Sequence, residues 1–197
     1  MYRQSQDNIN TVNNYNKMFI ELKERDGVLD HSVDYKHSKV LGKFKGGKLI
    51  DMGCLNSPLG VMAQKLFPDA KITLLDFAPS VIEFWENNYP FETVLSDCRN
   101  TPFADNTFDF AVAEEVMEHL DEPESLIKEA IRIIKPGGMF VLTVPNDEYN
   151  NEYGGGYHIW SFKENDVLEI LKKYGEAGAE IIPKEGRKGY IMGWVKK

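Results

Sequence analysis

Apolar positions follow two different rhythms along the chain. From Gln4 to about Arg25 the apolar residues Ile9, Val12, Tyr15, Met18, Phe19 and Leu22 recur every three or four positions in a polar background, which predicts an amphipathic helix. A second, shorter helix is expected near Ser32–Leu41, and Gly46-Gly47 then breaks the pattern. Beyond that point short apolar runs alternate with amphipathic stretches. Strands are expected at Lys48–Met52, Lys71–Phe77, Glu92–Asp97, Phe108–Ala113 and Gly138–Pro145, and helices at Ser57–Phe67, Pro79–Asn87, Pro123–Ile134 and Lys163–Tyr174. That alternation is the rhythm of a doubly wound parallel sheet. The end departs from it, because the extended stretches Glu180–Lys184 and Tyr190–Lys196 are separated only by Glu185-Gly186-Arg187-Lys188-Gly189. So short a connection permits only a hairpin, and the last strand is expected to lie antiparallel in a mostly parallel α/β sheet.

Composition narrows the class. A chain of 197 residues with 42% apolar and 12% aromatic residues holds enough material for one core and suits one compact domain. The longest apolar runs, such as Met139-Phe140-Val141-Leu142, fall far short of the roughly 20 residues of a membrane helix, and Met1-Tyr2-Arg3-Gln4-Ser5 begins no signal peptide. A soluble, cytoplasmic protein with no membrane partner is therefore expected. Cys54 and Cys98 give neither a zinc spacing nor a disulfide framework, in keeping with a reducing compartment. The net charge of −8 argues against a protein that grips long nucleic acid by its phosphates. Charge is unevenly spread, with +3 over residues 1–48, −15 over 49–182 and +4 over 183–197. The basic ends read first as solubilising, with a small anionic substrate or an RNA end as the alternative.

Candidate chemistry gathers where strands are expected to end. The first strand runs into Asp51-Met52-Gly53-Cys54, where Gly53 permits a sharp turn, Ser57 suits an N-cap and Pro58 the first helical position. A ligand there would meet free backbone N–H groups and the positive end of a helix dipole. The loop is no G-x-G-x-x-G fingerprint, since Leu55, Asn56 and Pro58 occupy its ground, and the Lys–Ser/Thr pair of a P-loop is missing. Asp76 closes the next strand 25 residues after Asp51, where a carboxylate can accept hydrogen bonds from both ribose hydroxyls of a nucleoside. Asp97-Cys98 closes the third. Singly, each acid is more simply a turn or capping residue. Three of them on one edge of a parallel sheet point to a binding crevice.

The ordered set Leu49–Gly53 with Asp-x-Gly, Leu74-Leu75-Asp76, Ser96-Asp97 ahead of Thr101–Asp109, Glu115-Val116-Met117-Glu118-His119-Leu120 and Ile134-Lys135-Pro136-Gly137-Gly138 resembles the class I S-adenosylmethionine-dependent methyltransferases. The resemblance runs from about Lys48 to Lys197. It implies a Rossmann-like, seven-stranded sheet, with residues 48–197 as the cofactor-binding domain and residues 1–47 as an amino-terminal helical lid. It also implies that Gly53 and Cys54 contact the methionine portion of S-adenosylmethionine and that Asp51 orients that loop or the amino group. By the same resemblance Asp76, with the adjoining Phe77, binds the ribose, Asp97 with Cys98 meets the adenine, and Glu114 stands beside the methyl-bearing sulfur. Family members usually carry glycine where Leu55 and Ser57 stand, so Leu55 has to point away from the cofactor or the loop has to take another path.

A sulfonium carbon is already electrophilic, so the protein has chiefly to hold the acceptor in line and dry, with a base if the acceptor is a hydroxyl. The candidates are His119 and His158, the latter following Gly154-Gly155-Gly156. If Glu115, Glu118 and His119 share a helix face, they and His158 could hold a divalent cation. That set looks like the enzymes that 2′-O-methylate RNA 3′ ends, and Glu-x-x-Glu-His is similar to ubiquinone-pathway O-methyltransferases. The leading reading needs no metal: methyl transfer to an oxygen or nitrogen of a small molecule. The alternatives are a metal-assisted RNA 3′-end methyltransferase and a non-catalytic S-adenosylmethionine- or nucleotide-binding protein, with an NAD-linked oxidoreductase more distant. DNA is not an expected partner, because Ala113-Glu114-Glu115-Val116 is not the Asn/Asp-Pro-Pro-aromatic clamp of amino-group DNA methylation. The acceptor pocket is expected between the amino-terminal helices and residues 146–162, where Tyr15, His31, Tyr35, His37, Tyr149, Tyr153, Tyr157 and Trp160 are available. No residue pattern selects an acceptor or an oligomeric state.

Overall fold

The structure is a computed structural model that describes residues 1–3, 10–26, 35–146, 158–184 and 187–197. Strand β1 (Tyr2–Arg3) precedes helices α1 (Val12–Asp26) and α2 (Tyr35–Leu41). The alternating body follows: β2 (Lys48–Met52), α3 (Leu59–Leu66), β3 (Lys71–Asp76), α4 (Pro79–Asn88), β4 (Glu92–Leu95), β5 (Phe108–Glu114), α5 (Pro123–Ile133) and β6 (Ile134–Pro145). After β7 (Trp160–Ser161) and α6 (Glu164–Leu171) the chain ends in β8 (Glu176–Lys184) and β9 (Arg187–Lys196). The elements begin where the local chemistry lets them. Proline stands in the first turns of α4 and α5, where its missing N–H costs nothing. Helix α3 starts two residues later than expected, so Pro58 and not Ser57 takes the N-cap position, and the Ser57 hydroxyl accepts the Leu59 N–H at 3.2 Å from one residue further out. Residues 4–9 of the expected first helix lie outside the described residues.

Seven strands form one sheet in the order β4-β3-β2-β5-β6-β9-β8. Strand β9 is antiparallel to both its neighbours, and the pairs among β2 to β6 are parallel, as the terminal hairpin required. Strands β6 and β8 each begin four residues earlier than expected. Side chains alternate across the sheet, and each face is covered. Leu49, Leu74, Phe110, Val112 and Val141 pack with residues of α1 to α4, including Phe19, Val40, Leu59 and Trp85. Ile50, Leu75, Ala111, Phe140 and Leu142 pack beneath α5 and α6 with Leu126, Ile133 and Val167. No helix among the described residues is long and apolar enough to cross a membrane.

Candidate active site

The two-residue alternation that buries Leu49, Leu74, Val112 and Val141 against α1 to α4 puts Asp51, Asp76, Glu114 and Thr143 on that same face, one step nearer the carboxyl ends. Asp51 pairs in register with Leu74 and Val112, so Asp76 and Glu114 are its diagonal neighbours on the two flanking strands. All three carboxylates are buried. Burial, followed by the charges of Glu114 and Asp76, pushes the Asp51 carboxyl well above the ordinary carboxylate range, with Lys36 opposing. Neither Asp51 oxygen has a hydrogen-bond partner among the described residues. Burial raises Asp76 as well, although it accepts the Leu55 N–H at 3.0 Å and the Ala78 N–H at 2.9 Å. Burial alone would also raise Glu114. The Lys36 charge, the His37 imidazole at 3.2 Å and the Ser57 hydroxyl at 3.1 Å overcome it and hold Glu114 below its usual value.

The turn after β2 is built around these acids. Gly53 has φ +95°, a Cβ there would come within 2.6 Å of the Val116 side chain, and its N–H donates to the Leu75 carbonyl at 2.8 Å. Leu55 takes φ +38°, which glycine adopts more easily. Its N–H is fixed by Asp76, its carbonyl accepts the Trp85 indole N–H at 2.7 Å, and its side chain packs into the core on the α1–α4 side. The larger residue is thus accommodated by laying its half-buried side chain against the core.

On the β3–β4 side, Phe77 meets the Tyr15 ring edge-on at 4.9 Å. Asp97 is held by Arg99 in a bidentate pair, with 2.9 Å from Nε to Oδ1 and 2.6 Å from Nη2 to Oδ2, which lowers its pKa. The Cys98 thiol is buried and pushed up to about 12, mainly by burial, and Cys54 is raised in the same way. Helix α1 is pinned across α4 by Asn16, which accepts from Ser80, and by Phe19 against Phe84. Tyr15 therefore spans the crevice from Phe77 to His119, whose ring lies 6.0 Å away.

The opposite wall holds the expected histidines. The rings of His119 and His158 lie 4.9 Å apart, and one donor atom each from Glu118, His119 and His158 falls within 4.8 Å of the others. Glu115 does not join them, because no helix face carries all three: helical structure here is a 3₁₀ turn over Met117–His119. Glu115 has φ +56°, its N–H donates to the Thr143 carbonyl at 2.8 Å, and its carboxylate pairs with Lys36. His31, Tyr149, Tyr153, Tyr157 and the Gly154–Gly156 run lie outside the described residues. Lys36 went unnoticed in the sequence. It is buried, its ammonium contacts Glu115, lies 3.9 Å from Glu114 and sits 4.7 Å above the Tyr190 ring. The pair of acids raises its pKa against the effect of burial. Tyr35-Lys36-His37 carries no motif and meets partners nearly 80 residues away, so only an unexplained lysine beside a predicted apolar helix face could have flagged it.

Residues 50–142 match the methyltransferase domain family. A demethylmenaquinone methyltransferase of Desulfitobacterium hafniense is 32% identical over 104 residues, which are 49% of this chain and 41% of that one. The chain spans about two-fifths of the length of such curated relatives. Among solved structures, the Burkholderia thailandensis 1,6-didemethyltoxoflavin-N1-methyltransferase with bound S-adenosylhomocysteine superposes with a TM-score of 0.70 at 13% identity, covering 100% of this chain and 98% of that one. An S-adenosylmethionine-dependent methyltransferase from Aquifex aeolicus gives 0.66 at 20% identity, covering 93% and 97%. The family that this chain resembles over residues 50–142 is the class I S-adenosylmethionine-dependent methyltransferases. The cofactor of that class is S-adenosylmethionine.

The raised Asp51 carboxyl has a measurable consequence. From about pH 4 upward the unfolded chain gives up this proton while the folded one keeps it, so the contribution of Asp51 to stability falls with rising pH until its own elevated pKa is passed. Asp51→Asn should therefore flatten the decline in thermal stability as pH rises above about 4, relative to the wild type, read from melting curves across a pH series.

Proposed function

We propose that the chain transfers the methyl group of S-adenosylmethionine to an oxygen or nitrogen of a small-molecule acceptor. The observation that carries this reading is the set of buried carboxylates Asp51, Asp76 and Glu114 at neighbouring strand ends beside the Gly53 turn. The cofactor suits them. Asp51 has two unpartnered oxygens to offer an ammonium, and Asp76 retains lone pairs for ribose hydroxyls beyond the two N–H groups it already accepts. Phe77 and Cys98 flank the ribose and adenine positions, with Asp97 and its Arg99 partner at the rim. Demethylmenaquinone and 1,6-didemethyltoxoflavin, named in two of the relatives, support a small, ring-containing acceptor.

When bound, S-adenosylmethionine supplies an activated methyl group. The work left to the chain is placement, exclusion of water and removal of a proton. Residues 1–47 act as the lid, with Tyr15 closing over Phe77 on one side and His119 on the other. His158 accepts the acceptor's proton at an imidazole nitrogen, with His119 beside it as the second candidate. Asp76→Ala should weaken S-adenosylhomocysteine binding by about 1–3 kcal/mol in calorimetric titration, because two ribose hydroxyls lose their acceptor. Unchanged affinity would refute the assignment of the crevice.

The convergence of Glu118, His119 and His158 favours one second reading, in which these donors hold a divalent cation and the acceptor is an RNA 3′ end. On that reading excess EDTA abolishes turnover and Mn²⁺ or Mg²⁺ restores it. On the small-molecule reading, activity with the same acceptor persists through chelation.

A further inference from the structure

Residues 96–107 join β4 to β5 with no helix or strand of their own, although Cys98 and Thr101 within them are buried. A connection that buries part of its backbone has to find partners for it elsewhere, and here they stand on α5. Glu129, 7% exposed, accepts both the Thr101 N–H at 2.7 Å and the Thr101 hydroxyl at 2.6 Å on Oε1. Arg132, three residues on, donates from Nε to Glu129 Oε2 at 2.8 Å and from Nη2 to Oε1 at 2.7 Å. Its Nη1 reaches the Phe103 carbonyl at 2.8 Å and Asp105 at 2.7 Å. Burial alone would raise the Glu129 carboxyl, but Arg132 and Thr101 overcome it and hold the pKa below its usual value, so the charged form is the one that grips the segment.

The other end of the segment is fixed by β3, where the Asp76 carbonyl accepts the Ser96 N–H at 3.0 Å. Between these anchors Asp97 closes a tight turn: its carboxylate accepts the Arg99 N–H at 2.8 Å and its carbonyl the Asn100 N–H at 3.2 Å. Cys98 packs into the core on the α5 side of the sheet. Asp97 and Cys98 are thus carried on a short bridge whose far pier is a buried charge on a helix that takes no part in the crevice itself.

We propose that Glu129, backed by Arg132, is a positioning residue for recognition of the cofactor's base: by fixing Thr101 it sets where Asp97 and Cys98 stand. This rests on the reading that the crevice binds S-adenosylmethionine with its adenine at Asp97 and Cys98. The edge of adenine offers an amine donor and a ring-nitrogen acceptor, whereas hypoxanthine offers a carbonyl and an N–H, the reverse pattern. A segment that reads this edge by hydrogen bonds tells the two apart for as long as it is held in place.

The test is calorimetric titration of the wild type, Glu129→Leu and Glu129→Gln with S-adenosylhomocysteine and with its deaminated counterpart, S-inosylhomocysteine. The wild type should bind S-adenosylhomocysteine at least roughly tenfold more tightly. Glu129→Leu should cut that preference to about threefold or less while S-inosylhomocysteine affinity stays within about twofold of the wild type. Glu129→Gln keeps an oxygen for Thr101 but loses the charge that Arg132 answers, and its preference should fall between the two. An equal loss for both ligands would make Glu129 merely structural, an unchanged preference would separate base recognition from the clamp, and a wild-type preference near one would mean that the segment does not read the base. Each of these overturns the proposal. If Glu129→Leu does not fold, Glu129→Gln decides, and a wild-type preference in that variant overturns it. Failure of the wild type to bind either ligand defeats the cofactor reading itself, and is told apart because no variant is needed to see it.

Discussion

Carboxylates at the ends of adjacent parallel strands repel one another, and burying them strengthens the repulsion. Asp51, Asp76 and Glu114 are in that position because strand alternation and register leave their side chains nowhere else to go. Asp76 is relieved by backbone N–H groups and Glu114 by Lys36, His37 and Ser57, whereas Asp51 has no such partner among the described residues and burial holds its carboxyl well above the ordinary range. Helix α2 is tied to the sheet through this electrostatic requirement as well as through the apolar contacts of Val40 and Leu41.

The same requirement explains how the turn after β2 works with few glycines. Asp76 fixes the Leu55 N–H and Trp85 the Leu55 carbonyl, so a residue with a side chain is held in a left-handed conformation that it would not choose alone. Ser57 stands where a glycine is usual and uses its hydroxyl on Glu114 and on the first turn of α3. These replacements are coupled to residues on β5 and α2, and the loop is best understood together with them.

Much of the sheet was legible in the sequence because its signals are local. The apolar runs of β2 and β3, the prolines that open α4 and α5, and the connection before β9, too short for a crossover, each fix an element without knowledge of its neighbours. The strand-end acids were legible for the same reason, since the end of a strand is also the edge of the crevice. The shared face of Glu115, Glu118 and His119 was conditional on a helix, and the condition fails because the Glu115 N–H donates to the Thr143 carbonyl with φ at +56°. Lys36 was missed because its meaning lies wholly in partners far along the chain, and no periodicity records an ion pair of that kind.

The central claim is that one crevice, bounded by the ends of β2, β3 and β5 and by α1 and α2, receives the whole cofactor. A crystal structure with S-adenosylhomocysteine bound tests it most directly. The account predicts ribose hydroxyls on Asp76, the amino-acid end at the turn after β2 beside Asp51, and the sulfur turned toward the His119–His158 wall. Density for the ligand anywhere else on the sheet, or with its ribose away from Asp76, would contradict it.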